Sequence, residues 1–214
     1  DLSAPGIVND LNSWVSKHTN KMIPQIISKP FRENTDALLV NALYLKNTWA
    51  TKFDPLDTSP RDFTHEDGST ERLHYLNHFS LSFPYLSSET CEGAILPYDD
   101  GRLGFFALMP KLYPDAPDFD SWLDSLEGKA LSQLILSGKE ADFLRLSLPK
   151  FEEEWSGELQ DVLADMGLSF AFAPKLADFS QLGGNPYGYY LAQVIHAVKI
   201  EVNEKGTEAA AATA

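Results

Sequence analysis

His74 and His78 stand four residues apart, and on a helix that spacing would bring two imidazoles onto one zinc ion. Their stretch reads as a strand instead, where four residues span about 13 Å, so no metal site is expected. Glu152-Glu153-Glu154 offers three consecutive carboxylates and reads as a solvated edge rather than a catalytic carboxylate pair. Cys91 is the single cysteine, which rules out an internal disulfide; it reads as a small half-buried strand residue rather than a reactive thiol. The sequence has neither a Gly-x-Ser-x-Gly elbow nor a phosphate-binding loop. An enzyme is therefore not expected, and no cofactor is implied.

The more informative stretch lies at the end of the chain, from Glu204 to Ala214. Gly206 can change φ and ψ at little steric cost and reads as a hinge. After Thr207 and Glu208 come Ala209, Ala210, Ala211 and Ala212, side chains too small to anchor a core and unobstructive when packed into one. A segment that leaves solvent and slides between two existing strands should look like this. Composition alone favours a helix start or a flexible tail, because alanine is the best helix former.

The elements that would position such a segment follow from periodicity. Residues 5–17 read as a helix with Ile7, Leu11, Trp14 and Val15 on one stripe and Ser3 as a possible cap. Ala37–Leu45 is apolar on both faces except for Asn41, as in a strand covered on both sides. Further strands are expected at 71–77, 79–85, 93–98 and 103–109, with a turn at Asp99-Asp100-Gly101. Short helices are expected at about 118–127, burying Phe119, Trp122, Leu123 and Leu126, and at 129–137. Residues 143–151 alternate with Leu144, Leu146 and Leu148 on one side, and a helix at about 157–166 exits at Gly167. Tyr190–Val202 alternates over its whole length, far beyond the usual strand of ~5–6 residues, and belongs to a large sheet.

Composition narrows the partners. With 43% hydrophobic and 22% charged residues in 214, the chain is globular. No apolar run approaches the ~20 residues that span a bilayer, so no membrane partner is expected. A net charge of −14 repels phosphate backbones and argues against nucleic acid. The sequence contains no Asn-x-Ser/Thr site, which leaves a bacterial origin open.

The run Val198–Thr213 (VKIEVNEKGTEAAAAT) resembles, nearly residue for residue, the hinge of the serpins, protease inhibitors whose exposed loop inserts into their own sheet. Further similarities follow in the family's order: Asn12-Ser13-Trp14-Val15 with Thr19-Asn20, then VNALYLK at 40–46 followed by Trp49. Phe53-Asp54-Pro55, Leu96-Pro97-Tyr98, Leu148-Pro149-Lys150-Phe151, Ala177-Asp178-Phe179-Ser180 and Val194-Ile195-His196 complete the set. The resemblance implies an α+β serpin fold, a large mixed sheet A plus smaller β-sheets with helices, incomplete at both ends. Residues 1–214 would be part of a single serpin domain lacking the N-terminal helices, the scissile bond and the C-terminal strands. Other chain segments would be needed to complete its sheets.

What the resemblance implies about function is a reactive loop that a target serine or cysteine protease attacks as substrate. The cleaved loop inserts as a central strand flanked by 37–45 and 190–203 and drags the acyl-linked enzyme away. About 15 residues at ~3.3 Å each correspond to roughly 50 Å of travel. Hinge residues Glu204, Gly206, Thr207, Glu208, Ala209–Ala212 and Thr213 resemble those of inhibitory members: Thr207 is small where the strand first enters, and alternation turns Glu208 to the opposite face. The alternative is a non-inhibitory serpin, a carrier or chaperone. Trp49, Lys150 and Glu204 resemble the cluster where the loop enters, Glu204 pairing with Lys150 and Trp49 covering the opening; an exposed pair of this kind is worth only ~0–1 kcal/mol. His196, on the apolar side of its strand, reads as a satisfied structural histidine, and the resemblance adds a hydrogen bond to Asn41 where the central strands part. Secretion is the expected setting, with an intracellular one left open.

Overall fold

A computed structural model describes residues 4–31, 38, 40–81, 83–141, 144–174, 176–182 and 189–213. In chain order the elements are helix α1 (Ile7–His18), β1 (Asn41–Thr48), β2 (Ser59–Thr64), β3 (Thr70–Leu81), β4 (Pro84–Ser87), β5 (Cys91–Pro97) and β6 (Gly104–Pro110). Then come α2 (Phe119–Asp124), α3 (Gly128–Leu136), β7 (Lys139–Glu140), β8 (Leu144–Pro149), β9 (Phe151–Glu158), α4 (Gln160–Leu163), β10 (Ile195–Val202) and β11 (Gly206–Thr213). No described helix is long and apolar enough to cross a membrane.

By their contacts the residues form two compact units, one of Asp1–Leu45, Glu152–Glu201 and Glu208–Ala214, the other of Lys46–Phe151 and Val202–Thr207. The first carries the body of a four-stranded sheet in the order β1-β11-β10-β9, the last strand in sequence lying between β1 and β10. Its core joins Val15 of α1 and Ile23, Ile26 and Ile27 of the following turn to Ala197, Ala210 and Ala212. Asn12 fixes that turn against the helix: its side chain donates to the Ile27 carbonyl at 2.8 Å and accepts from the amides of Ile26 and Ile27 at 3.0 Å. The second unit contains two antiparallel sheets, β2-β3-β8 and β6-β5-β4-β7. Trp49, Phe53, Leu76, Leu86, Leu96, Tyr98 and Leu148 are among its buried residues.

Several expected boundaries move, for identifiable reasons. The strand expected at 37–45 is described from Asn41 and continues through Lys46-Asn47-Thr48, where strand pairing outweighs polar side chains. It is not covered on both faces, since Leu43 is 65% exposed. Tyr190–Val202 is a strand only from Ile195: the Leu191 amide donates to Ala171 and the Val194 carbonyl accepts from Leu159, bonds to the helical stretch instead of a ladder. The helix expected at 157–166 shrinks to α4, because β9 runs to Glu158 and Ala164–Leu168 forms a π turn. Gly167 does take left-handed φ, 102°. The strand expected at 71–77 and the first part of the one expected at 79–85 form β3, with an irregularity between Phe79 and Leu81, while Pro84 and Tyr85 open β4. β2, polar and carrying Pro60, went unanticipated; it lies at an edge of the sheet among the described residues, a position that tolerates proline. In α2 only Trp122 is buried, with Phe119 and Leu123 about half exposed. Ser3 lies outside the described residues, and Gly6 precedes α1 without a side-chain cap.

Candidate functional site

β10 and β11 are joined by a turn, Asn203–Lys205, closed by the Asn203 amide on the Gly206 carbonyl (3.1 Å) and the Lys205 amide on Asn203 Oδ1 (2.9 Å). Trp49 grips this turn at two carbonyls. Its backbone amide donates to Lys205 (3.0 Å) and its indole Nε1 to Asn203 (2.9 Å). The indole is buried and stacked on Tyr98 at a centroid distance of 4.9 Å. Glu204 accepts Lys150 Nζ at 3.0 Å and Thr58 Oγ1 at 3.1 Å, while its carbonyl accepts the Phe53 amide at 3.1 Å. Burial pushes the Glu204 carboxyl up, but its own backbone amide, the Lys150 ammonium and the Thr58 hydroxyl together hold it below the usual value. Trp49, Lys150 and Glu204 are thus brought together, with Thr58 as a partner that no spacing in the sequence announced.

Gly206 has a second reason to be glycine besides freedom of rotation. A Cβ there would lie 2.0 Å from the Asn47 carbonyl oxygen and 2.8 Å from Thr48 Cα, so β11 approaches β1 at a distance no side chain allows. Thr207 is buried. Along β11 alternate residues diverge: Ala210 and Ala212 are buried under α1 and its turn, whereas Ala209, Ala211 and Thr213 are half-buried on the other face. Glu208 does point opposite to Thr207, as alternation requires, and the face it joins is the one that Ala210 and Ala212 share with α1. Its carboxylate accepts the Tyr44 hydroxyl and, at 3.2 Å, the Asn20 side-chain amide.

The expected pair of Asn41 and His196 meets a different arrangement. With β11 between β1 and β10, the two residues sit on strands separated by two spacings, about 10 Å. His196 Nδ1 instead lies 2.6 Å from Thr213 Oγ1, with Trp155 beside the ring, and Asn41 is exposed at the start of β1. A strand lying between its neighbours replaces the contact they would make with each other.

The remaining candidates take structural positions. His74 and His78 both lie on β3, in register with Pro60 and Leu146 respectively. His78 packs between Phe53 and Phe83, and burial lowers its pKa. Glu152 and Glu154 flank Lys199 at 2.7 and 3.7 Å, an ion-pair ladder on the outermost described strand of the sheet. Cys91 is buried, with Ser88 Oγ 3.2 Å from its sulfur.

Comparison with known proteins gives this arrangement a family. Residues 2–214 match the family described as Serpin (serine protease inhibitor). Leukocyte elastase inhibitor A of Mus musculus is 31% identical over 212 residues, 95% of this chain and 55% of that protein. The crystal structure of a thermophilic serpin, tengpin, in the latent state is similar with a TM-score of 0.84 at 30% identity, covering 97% of this chain and 55% of that one. Reactive-loop-cleaved human thyroxine-binding globulin shares the fold at a TM-score of 0.84 and 24% identity, over 96% and 59% of the two chains. The chain spans about half the length of the curated relatives it matches. With that match over nearly all of its residues, this chain belongs to the serpin family.

Proposed function

We propose that this chain supplies the mobile strand and the receiving sheet of an irreversible trap for serine or cysteine proteases. The observation that carries this reading is the position of Gly206–Thr213: a segment of glycine, alanine and threonine with one glutamate, hydrogen-bonded between β1 and β10. In the proposed cycle the target's serine oxygen or cysteine sulfur attacks a carbonyl C-terminal to Thr213. The peptide bond breaks, the amine leaves with a proton, and an acyl-enzyme remains. The freed strand enters the sheet from Gly206 onward, and distortion of the tethered enzyme must outrun attack of water on the acyl bond. Ala210 and Ala212 favour speed, because nothing large has to be desolvated and fitted under α1. The chain is substrate and trap in this scheme, not catalyst.

The test is to mix the full-length protein with a panel of serine and cysteine proteases and follow complex formation on denaturing gels. A complex that survives SDS, together with higher heat resistance of the loop-cleaved protein, is the expected result. Cleavage without complex favours the non-inhibitory reading, a carrier with the same fold, to which the likeness to thyroxine-binding globulin draws attention.

A further inference from the structure

Immediately after α1, Asn20 and Lys21 both have positive φ, 50° and 66°. Two successive non-glycine residues in the left-handed region are costly, and such backbone persists where its surroundings over-determine it. The turn is held from inside by Thr19, whose hydroxyl donates to the Val15 carbonyl at 2.8 Å and accepts the Ile23 amide at 3.2 Å. The Asn20 side chain reaches from this turn to two strands of the sheet. Asn20 Nδ2 lies 3.2 Å from Glu208 Oε1 and 3.1 Å from Tyr44 Oη, and the Tyr44 hydroxyl donates to the same Oε1. Three elements, the turn after α1, strand β1 and strand β11, therefore converge on a single carboxylate oxygen.

We infer that Asn20 and Tyr44 form a receptor for Glu208 that is complete only when β11 occupies the sheet, so that the turn after α1 acts as a latch on the inserted strand. Resting on the insertion reading above, the inference deepens it by naming residues outside the hinge that favour the inserted state. Glu208 shares its face with Ala210 and Ala212, which are buried under α1. A carboxylate brought to such a face is unfavourable unless donors meet it. Tyr44 and Asn20 supply those donors from the two elements the incoming strand passes. Glu208 is also the third residue of β11, so its bonds form early in an insertion that begins at Gly206. Because these bonds exist in one state of the loop and not the other, they bias the equilibrium between them, which a contact common to both states cannot do.

The test uses the full-length protein with its loop clipped by trace papain, and compares the Tm of clipped and unclipped forms in the wild type and in N20G, Y44F and E208A. Glycine at 20 keeps the left-handed turn free of strain while removing the amide, and phenylalanine at 44 removes one hydroxyl, so both variants should fold. The expected result is a fall of about 2–4 °C in the clipped form with less than about 1 °C in the unclipped form. The double variant N20G/E208A should fall by less than the two single losses added. Equal shifts in both forms, or none in the clipped form, overturn the latch. If the wild type gains no heat resistance on clipping, the insertion reading falls and takes the latch with it. A wild-type gain that the variants leave untouched removes the latch alone.

Discussion

The two ends of β11 are held by different physics. At Asn203–Thr207 the strand is tied through its backbone: two carbonyls to Trp49, one to Phe53, a glycine pressed against Asn47, and a carboxylate clasped by Lys150 and Thr58. From Glu208 to Thr213 the ladder to β1 and β10 is joined by shape, with Ala210 and Ala212 under α1 and side-chain hydrogen bonds at Glu208 and Thr213. Backbone bonds are directional and nearly indifferent to side-chain identity, except where glycine is required. Packing under a helix tolerates any sequence that is small and uncharged. On the insertion proposed above, the first region would set where the strand starts and the second whether the rest follows.

The contrast can be attacked from its stronger side first, in every case on the full-length protein. Ala212→Asp puts an unpaired charge among Val15, Ile23 and Ala197, and should lower the stability of the loop-cleaved form by about 3–5 kcal/mol in calorimetry. The hinge ties would remain intact, so the strand should stop part-way, and protease should be released rather than trapped. Gly206→Ala places a methyl on the Asn47 carbonyl and should cost about 1–3 kcal/mol in the same measurement, slowing insertion at its first step. Trp49→Phe keeps a ring against Tyr98 but removes the Nε1 bond to Asn203, an expected loss of about 1–2 kcal/mol by denaturant unfolding.

Lys150→Met should produce the smallest change, no more than about 1 kcal/mol, since the ammonium is exposed. Its clearest signature is in pH. The Glu204 carboxyl is held below its ordinary value of 4.5, so the folded state binds fewer protons than the unfolded state as acid is added. Its contribution is complete above that ordinary value and is lost as pH falls through the depressed one. The wild type should therefore lose stability over this acid range more steeply than K150M, measured as Tm against pH. Were K150M or Trp49→Phe to outrank Ala212→Asp, the division between a tethered end and a packed end would be wrong.

Much of the site was legible because its determinants are local. Gly206 followed by small residues marks a segment able to pack into a crowded sheet, its strand reading came from the resemblance, and the order of Asn41, Trp49, Lys150, His196 and Glu204 along the chain points to the family. Boundaries were less legible where backbone groups chose non-local partners. Asn47 and Thr48 look like loop residues and are strand, because another strand lies against them. Tyr190–Val194 looks like strand and is not, because Leu159 and Ala171 take backbone groups there.

By itself the sequence determined the α+β character from periodicity and the family from the order of its motifs, whereas side-chain size and composition alone favoured a helix start or a tail for Gly206–Thr213. Tertiary structure alone decided that His196 meets Thr213 rather than Asn41, that Thr58 joins Lys150 on Glu204, and that Asn20 and Tyr44 converge on Glu208. Those meetings join residues 17 to 188 positions apart. Which of many polar groups becomes a carboxylate's partner depends on where the strands are set, and no local pattern encodes that distance.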